Sequence, residues 1–373
     1  MKSSSSPYFA FGVSALFASA VFSQSWTDDY PPEHNHGQDP YQSVLNWLKP
    51  FAEPGYVWGS HPGIFVESPD RIFIIQRGEL HVPDPRPSGF GDFYGSVEGL
   101  NALRPMNGRT MRNVIFIVNG DGELIETWNR WDYLFADTAG PHKIAINPYD
   151  PERKVWVVND ARHQIHAFSN DGSELVMSLG TWNESAEDET HLGRPQDIAF
   201  MRGGSIVVAD GLDNSRVIKF DKDGKFLTAW GSKGTADGQF DAVHGIATDK
   251  KDRVYVADRR NDRIQVFDKD GKHLATWPGL NFPNHIVITE NQDVWVADNQ
   301  PVRLIKFNTD GERLYSWDAH GRGPGQFEEL HEFGVDSNGD WYGADNILGR
   351  SLKFTPKADS DPERLMQRPV PLM

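Results

Sequence analysis

The sequence predicts an all-β chain folded as a six-bladed β-propeller, from three observations. Copies of one pattern recur every 40 to 50 residues, each copy reads strand–turn–strand, and Asp-Gly pairs punctuate them. In each copy an apolar strand ends in Ala-Asp or Asn-Asp, and a short polar segment and a second strand follow. An Asp-Gly turn and a third strand ending near a Trp complete it.

Taken in order, an irregular first copy holds Arg71–Arg77, an insertion, Val114–Val118, Asp121-Gly122 and Trp128. Four regular copies follow: Val155–Asp160 with Gln164–Phe168, Ile206–Asp210 with Arg216–Phe220, Val254–Asp258 with Arg263–Phe267, and Val294–Asp298 with Arg303–Phe307. A last copy pairs Trp341–Asp345 with Arg350–Phe354, and the marker aspartates 160, 210, 258, 298 and 345 are 50, 48, 40 and 47 residues apart. That pitch suits propeller blades of four antiparallel strands. One small sheet cannot bury both of its faces, whereas six stacked radially can. Asp-Gly supplies the positive-φ residues that tight hairpins need. The last copy lacks a fourth strand, and Tyr56–Gly59 resembles the blade-ending Thr228–Gly231. An N-terminal strand at Tyr56–Gly59 is therefore expected to close blade six beside Leu352–Phe354, removing exposed sheet edges.

Composition narrows the class. With 53 acidic against 37 basic residues, the net charge is −16 and no Lys/Arg-dense run offsets it. Nucleic acid, bound through phosphate neutralisation, is not an expected partner. The chain has no Cys, so disulfides and thiolate metal ligands are excluded. Lys2, the apolar Tyr8–Phe22 stretch and Ala18-Ser19-Ala20 read as a cleavable export signal, too short for a membrane anchor. The expected layout is a signal peptide at 1–23, a Pro-rich arm at 24–54, the propeller at 55–358 and a tail at 359–373. The mature protein is expected to be secreted or periplasmic, monomeric and free of stable membrane insertion.

The first residue of each innermost strand should face the mouth of the central channel. That position reads His61-Pro62 in blade one, His142 in blade two, Gln196 in blade three, His244 in blade four, Asn284-His285 in blade five and His331 in blade six. His142, His244 and His331 thus recur on alternate blades, related by roughly threefold geometry. Three imidazoles at one height can meet a single ion and leave a fourth position open, as in catalytic zinc sites. The same ligands also suit Fe, Co or Cu. Without metal, such histidines would simply line the channel. His163 reads as structural, His61 and His285 as channel-lining, and His34 and His36 as incidental.

The sequence resembles the peptidyl-α-hydroxyglycine α-amidating lyases, six-bladed propellers of NHL-type repeats. The shared stretches include Gln76-Arg77-Gly78, His142-Lys143-Ile144, Arg162-His163-Gln164-Ile165, Asp210-Gly211, Asn214-Ser215-Arg216, Ala257-Asp258-Arg259 and Asn261 to Phe267. The resemblance implies that His142, His244 and His331 hold zinc and that Arg77 and Arg259 hold the substrate carboxylate. It also implies a structural calcium on the carbonyls of Ile64 and Ile144 and on Glu332, where the family usually has Asp. The implied reaction cleaves a carbinolamide, R–CO–NH–CH(OH)–COO⁻, into an amide and glyoxylate, so the partner is a small carboxylated or peptide-derived substrate. The family's catalytic Tyr follows the Asp-Gly of blade three, and here that residue is Leu212, followed by Asp213 in place of a disulfide Cys. Either Asp213 or His285 then serves as the base, or a metal-bound hydroxide does, or the substrate differs. A non-catalytic propeller binding a protein or glycan, and a calcium-dependent hydrolase of lactonase type, are the alternatives.

Overall fold

The computed structural model describes residues 39–49, 51–52, 56–81, 109–369 and 371. Residues 1–23 of the expected signal, His34 and His36, and residues 82–108 of the blade-one insertion lie outside them. Among the described residues no helix is long and apolar enough to cross a membrane.

Six four-stranded antiparallel sheets form the blades of a propeller. Their first strands are Gly63–Ser68, Lys143–Ile146, Pro195–Phe200, Val243–Thr248, Pro283–Ile288 and Leu330–Val335. Each packs against the first strand of the next blade, and Leu330–Val335 returns to Gly63–Ser68 to close the ring. The second and third strands are buried almost throughout, Ile206–Asp210 and Arg216–Phe220 entirely so. They read as continuous Val/Ile runs because both faces are covered by neighbouring blades.

The hairpin glycines and the blade-ending tryptophans form one device. Gly172, Gly271 and Gly311 have φ of +65°, +89° and +88°. A Cβ on each would lie 2.2, 2.6 and 2.4 Å from the indole of Trp128, Trp230 or Trp277, which ends the preceding blade. The recurring Trp and Gly are thus a contact between successive blades.

Blade six is closed by an N-terminal strand, but not by the expected one. Tyr41–Ser43 pairs with the third strand Arg350–Pro356, with Tyr41 opposite Pro356 and Ser43 opposite Phe354. The buried Tyr41 ring lies 5.9 Å from that of Trp317 and 6.3 Å from that of Trp341, and its hydroxyl accepts from the Met366 N–H. Tyr56–Trp58 instead pairs with Glu79–His81, which also pairs with Arg109–Thr110, in a small separate sheet. The propeller therefore begins before residue 55. Nor is the C-terminal segment a free tail: Met366 is buried, and Pro369 bridges to Thr289 of blade five.

The marker aspartates fasten each blade's entry loop. Asp210 accepts from Gly193 N, Asn214 and Arg216 at 2.6, 2.8 and 2.7 Å, and Asp258 from Asp241 N, Asn261 and Arg263 at 2.7, 2.8 and 2.7 Å. In blade two this place belongs to Asn159, opposite Gln164 as Asp210 is opposite Arg216. The marker of blade two is one residue earlier than the sequence spacing suggested, and Asp160 falls one residue beyond it.

Candidate metal centre on the propeller axis

The inner strands stack their residues as rings down the axis. Aligning each first strand on its pairing with the second places Pro62, His142, Gln196, His244, Asn284 and His331 in one ring. The next ring holds Gly63, Lys143, Asp197, Gly245, His285 and Glu332. After it comes an apolar ring of five isoleucines and Phe333, opening into a cavity of about 390 Å³ lined by the outer halves of the same strands. On the opposite side, toward the mouth, are the residues just past the blade markers: Arg77, Asp160, Gly211, Arg259, Asn299 and Asn346.

The alternate-blade histidines meet. Their ring centroids are 4.7, 5.0 and 5.2 Å apart, and one ligand nitrogen from each lies within 4.8 Å of the others. Each Nδ1 donates to the carbonyl of the equivalent residue one blade on: His142 to Gln196 at 2.7 Å, His244 to Asn284 at 2.8 Å and His331 to Pro62 at 2.6 Å. A carbonyl accepts only from N–H, so the proton sits on Nδ1 and the Nε2 lone pair is left for a ligand. The Nε2 of His244 is buried with no partner among the described residues. Burial holds His142 down to about 3 and His244 and His331 well below the usual imidazole range. Three neutral, pre-oriented imidazoles fit a divalent transition ion.

The expected calcium residues also come together, but differently. Glu332 Oε2 accepts the N–H groups of Ile64 at 3.0 Å and Ile144 at 3.4 Å, and Gly63 makes room for it. Beside them the fully buried Lys143 donates to the His331 carbonyl, and its charge acts on both Glu332 and Asp197. Calcium takes six to eight oxygens. Here one carboxylate oxygen already serves two N–H donors, and an internal ammonium supplies positive charge. These residues do not fit calcium. Excess EGTA should leave the thermal midpoint of the protein unchanged, whereas a calcium-built ring would lose several degrees.

The two expected arginines lie in the ring next to the histidines. Arg77 is buried, its Nε donating at 3.0 Å to the carbonyl of Pro141, next to His142. Arg259 is half-buried over the Phe282 ring at 4.5 Å, with Nη1 3.4 Å from Asn284 Oδ1. Burial pulls its guanidinium down to about 10. The remaining candidates are elsewhere. His285 belongs to the ring beyond the histidines, 3.3 Å from Asp197, and faces the apolar cavity. Asp213 is exposed, 3.9 Å from His163. His61 turns off the axis to Ser351 at 3.1 Å, against Trp58. Leu212 is half-buried, its N–H 3.3 Å from the Arg194 carbonyl.

Comparison with known proteins agrees with the fold. A family model described as a 6-bladed beta-propeller matches residues 185–284. The rat peptidylglycine alpha-amidating monooxygenase is 29% identical over 249 residues, 64% of this chain and 23% of that one. A probable peptidyl-alpha-hydroxyglycine alpha-amidating lyase of Caenorhabditis elegans is 37% identical over 125 residues, 32% of this chain and 35% of its own. Over these segments the chain is similar to proteins named for α-amidation. The matched segments span between about a quarter and a third of those relatives' lengths. In fold it is also similar to a gluconolactonase from Xanthomonas campestris, with a TM-score of 0.51 at 14% identity over 87% of this chain and 96% of the other.

Buried neutral histidines also set a pH dependence. Burial lowers His61 to about 3 and His166 and His285 to about 4, from 6.5. Below pH 6.5 the unfolded chain binds protons at these three positions that the fold refuses, so their contribution to stability is complete above that pH and declines as pH falls toward 4, against the opposite contribution of Asp132, Asp298 and Asp345, which burial raises to about 6, 7 and 6. The urea midpoint of chelator-treated protein should lose more between pH 6.5 and pH 4 than that of a His166→Gln variant, which lacks one of these groups, and equal losses over that window would contradict this accounting.

Proposed function

We propose that this protein is an exported, zinc-dependent lyase that cleaves an N-acyl α-hydroxyglycine, R–CO–NH–CH(OH)–COO⁻, to an amide and glyoxylate. The observation that carries the reading is the triad of buried histidines, each with one ring nitrogen within 4.8 Å of the others, beside the ring that holds Arg77 and Arg259. The kinship with the amidating lyases supports the choice of reaction. The leader-like N-terminus supports export.

His142, His244 and His331 would hold the ion, which as a Lewis acid would make a bound hydroxyl easier to deprotonate. The chain's own contribution is position and charge. A guanidinium matches a carboxylate with two parallel hydrogen bonds, so Arg77 and Arg259 suit the substrate's COO⁻. Partial burial strengthens that attraction by excluding water. Arg77 is fixed through Pro141 to the loop that delivers His142, so carboxylate and metal positions are set by one segment.

The test is glyoxylate release from N-benzoyl-α-hydroxyglycine by protein purified without chelators. Stoichiometric glyoxylate and amide are expected. Protein that carries one transition ion per chain yet releases none would overturn the reading.

A further inference from the structure

The six residues just past the blade markers include one acid, Asp160, between the blades of Arg77 and Gly211. It is 1% exposed. Oδ2 accepts from Arg194 Nη2 at 2.6 Å, while Oδ1 is buried and has no hydrogen-bond partner among the described residues. That sets it apart from the marker aspartates, whose carboxylates are each met by two or more donors of their own blade, as at Asp210 and Asp258. A purely structural partner for Arg194 need not be buried, because the Arg194 side chain is itself 38% exposed. Leaving a buried carboxylate oxygen unpaired costs stability unless a ligand or water completes it. Asp160 directly follows Asn159, the residue level with His142 in the blade-two register, so it lies one ring from the metal triad and in the ring of Arg77, the arginine assigned to the substrate carboxylate.

We propose that Asp160 is a catalytic residue of this site: its Oδ1 takes the hydroxyl proton of the substrate as the C–N bond breaks. The inference rests on the lyase reading above. As the O–H proton passes to Oδ1, the O–H electron pair becomes the second bond of the new aldehyde C=O. The C–N pair leaves on the amide nitrogen, which receives the proton back from Asp160. One proton moves from oxygen to nitrogen, the carboxylate is regenerated, and no oxidant or reductant is needed. Leu212 has no group that could do this. Arg194 holds Asp160 by its guanidinium and Leu212 N–H by its carbonyl, so it fixes the carboxylate from the side away from Oδ1.

The experiment compares wild type, D160N and D160A as metal-loaded proteins on N-benzoyl-α-hydroxyglycine. D160N preserves shape, and its metal content and melting curve establish that it folds. Its kcat should fall about 10²–10⁴-fold, the range of a general base, with KM little changed. Its residual turnover should climb with pH as hydroxide replaces the carboxylate. Added formate should restore turnover to D160A, which restoring a mere anchor for Arg194 would not do. A D160N enzyme within about threefold of wild-type kcat, or a D160A enzyme that formate cannot rescue, overturns this assignment and leaves the lyase reading intact. No glyoxylate from wild type overturns both.

Discussion

Replacing His244 with alanine is expected to strip the transition ion from the protein and abolish turnover. His244 is fully buried, its Nδ1 is spent on the Asn284 carbonyl, and its Nε2 has no other use. The two remaining imidazoles cannot make up the coordination, because the neighbours in their ring, Pro62, Gln196 and Asn284, offer no comparable nitrogen donor. Losing an outer hydrogen-bond partner of a metal ligand typically costs 10–100-fold in affinity or activity. Losing the ligand itself should exceed the upper end, so kcat/KM should drop by more than about 100-fold. Metal that binds only the folded form stabilises it by about 4 kcal/mol at a thousandfold excess over Kd, so the variant should also melt lower than the loaded wild type. Elemental analysis, glyoxylate assay and a melting curve on one preparation check all three. A His244→Ala protein that keeps one ion per chain would remove the triad from the mechanism. The partners that orient the triad are backbone carbonyls, so no side-chain change elsewhere mimics this loss.

The ring of blades and the histidine triad were legible because both follow from periodicity. A propeller repeats its contacts, so His142, His244 and His331 could be aligned by their distance from the following Ile-Ala or Phe-Gly without knowing any coordinates. In blade two local chemistry overrides the repeat by one residue. Asn159 does the marker's work in blade two, and the Asp that follows it has a marker's spacing without a marker's place in the scaffold. Only the pairing of Asn159 with Gln164 separates the two roles. The closing strand was missed for a related reason. Tyr56–Trp58 has the blade-ending motif, but Tyr41 fills the gap between Trp317 and Trp341, and that cleft exists only after the blades are assembled. Lys143 belongs to the shared His-Lys-Ile stretch. Its consequence for calcium needed the axial register, which puts its ammonium in the same ring as Glu332 and Asp197.

The rings explain how one axis serves two purposes. Glu332 bridges blade six to blades one and two through Ile64 and Ile144 N–H, and Asp197 ties blade three to Ile246 N of blade four and His285 of blade five. Lys143 returns from blade two to His331 of blade six. Sheet-edge N–H groups facing the axis are thereby paired by side chains, as buried backbone donors must be. This charged ring lies directly beneath the histidines, so the elements that close the propeller also hold the metal ligands at one height.

The same logic sets the largest stability effect. Gly172→Val should destabilise the protein by about 3 kcal/mol or more, from two independent costs. At φ +65° the backbone is left-handed, which an L-residue pays about 1–2 kcal/mol to enter, and a β-branched one is the worst suited. The new Cβ would also lie 2.2 Å from Cε2 of Trp128, and overpacking a filled core adds about 1–3 kcal/mol. Trp128 has little room to move away. It is 3% exposed, its ring is 5.6 Å from Phe73 and 5.9 Å from Phe168, and its indole N–H donates to Glu126 at 2.7 Å. The strain therefore falls on the contact between blades one and two. Gly204 separates the two costs: its φ is +86°, but a Cβ there would meet only the Lys222 side chain, at an ordinary 3.4 Å. Gly204→Ala should cost about 1–2 kcal/mol, the backbone part alone. Equal urea midpoints for the Gly172 and Gly204 variants would show that the Trp-Gly contact between blades contributes nothing to closing the ring.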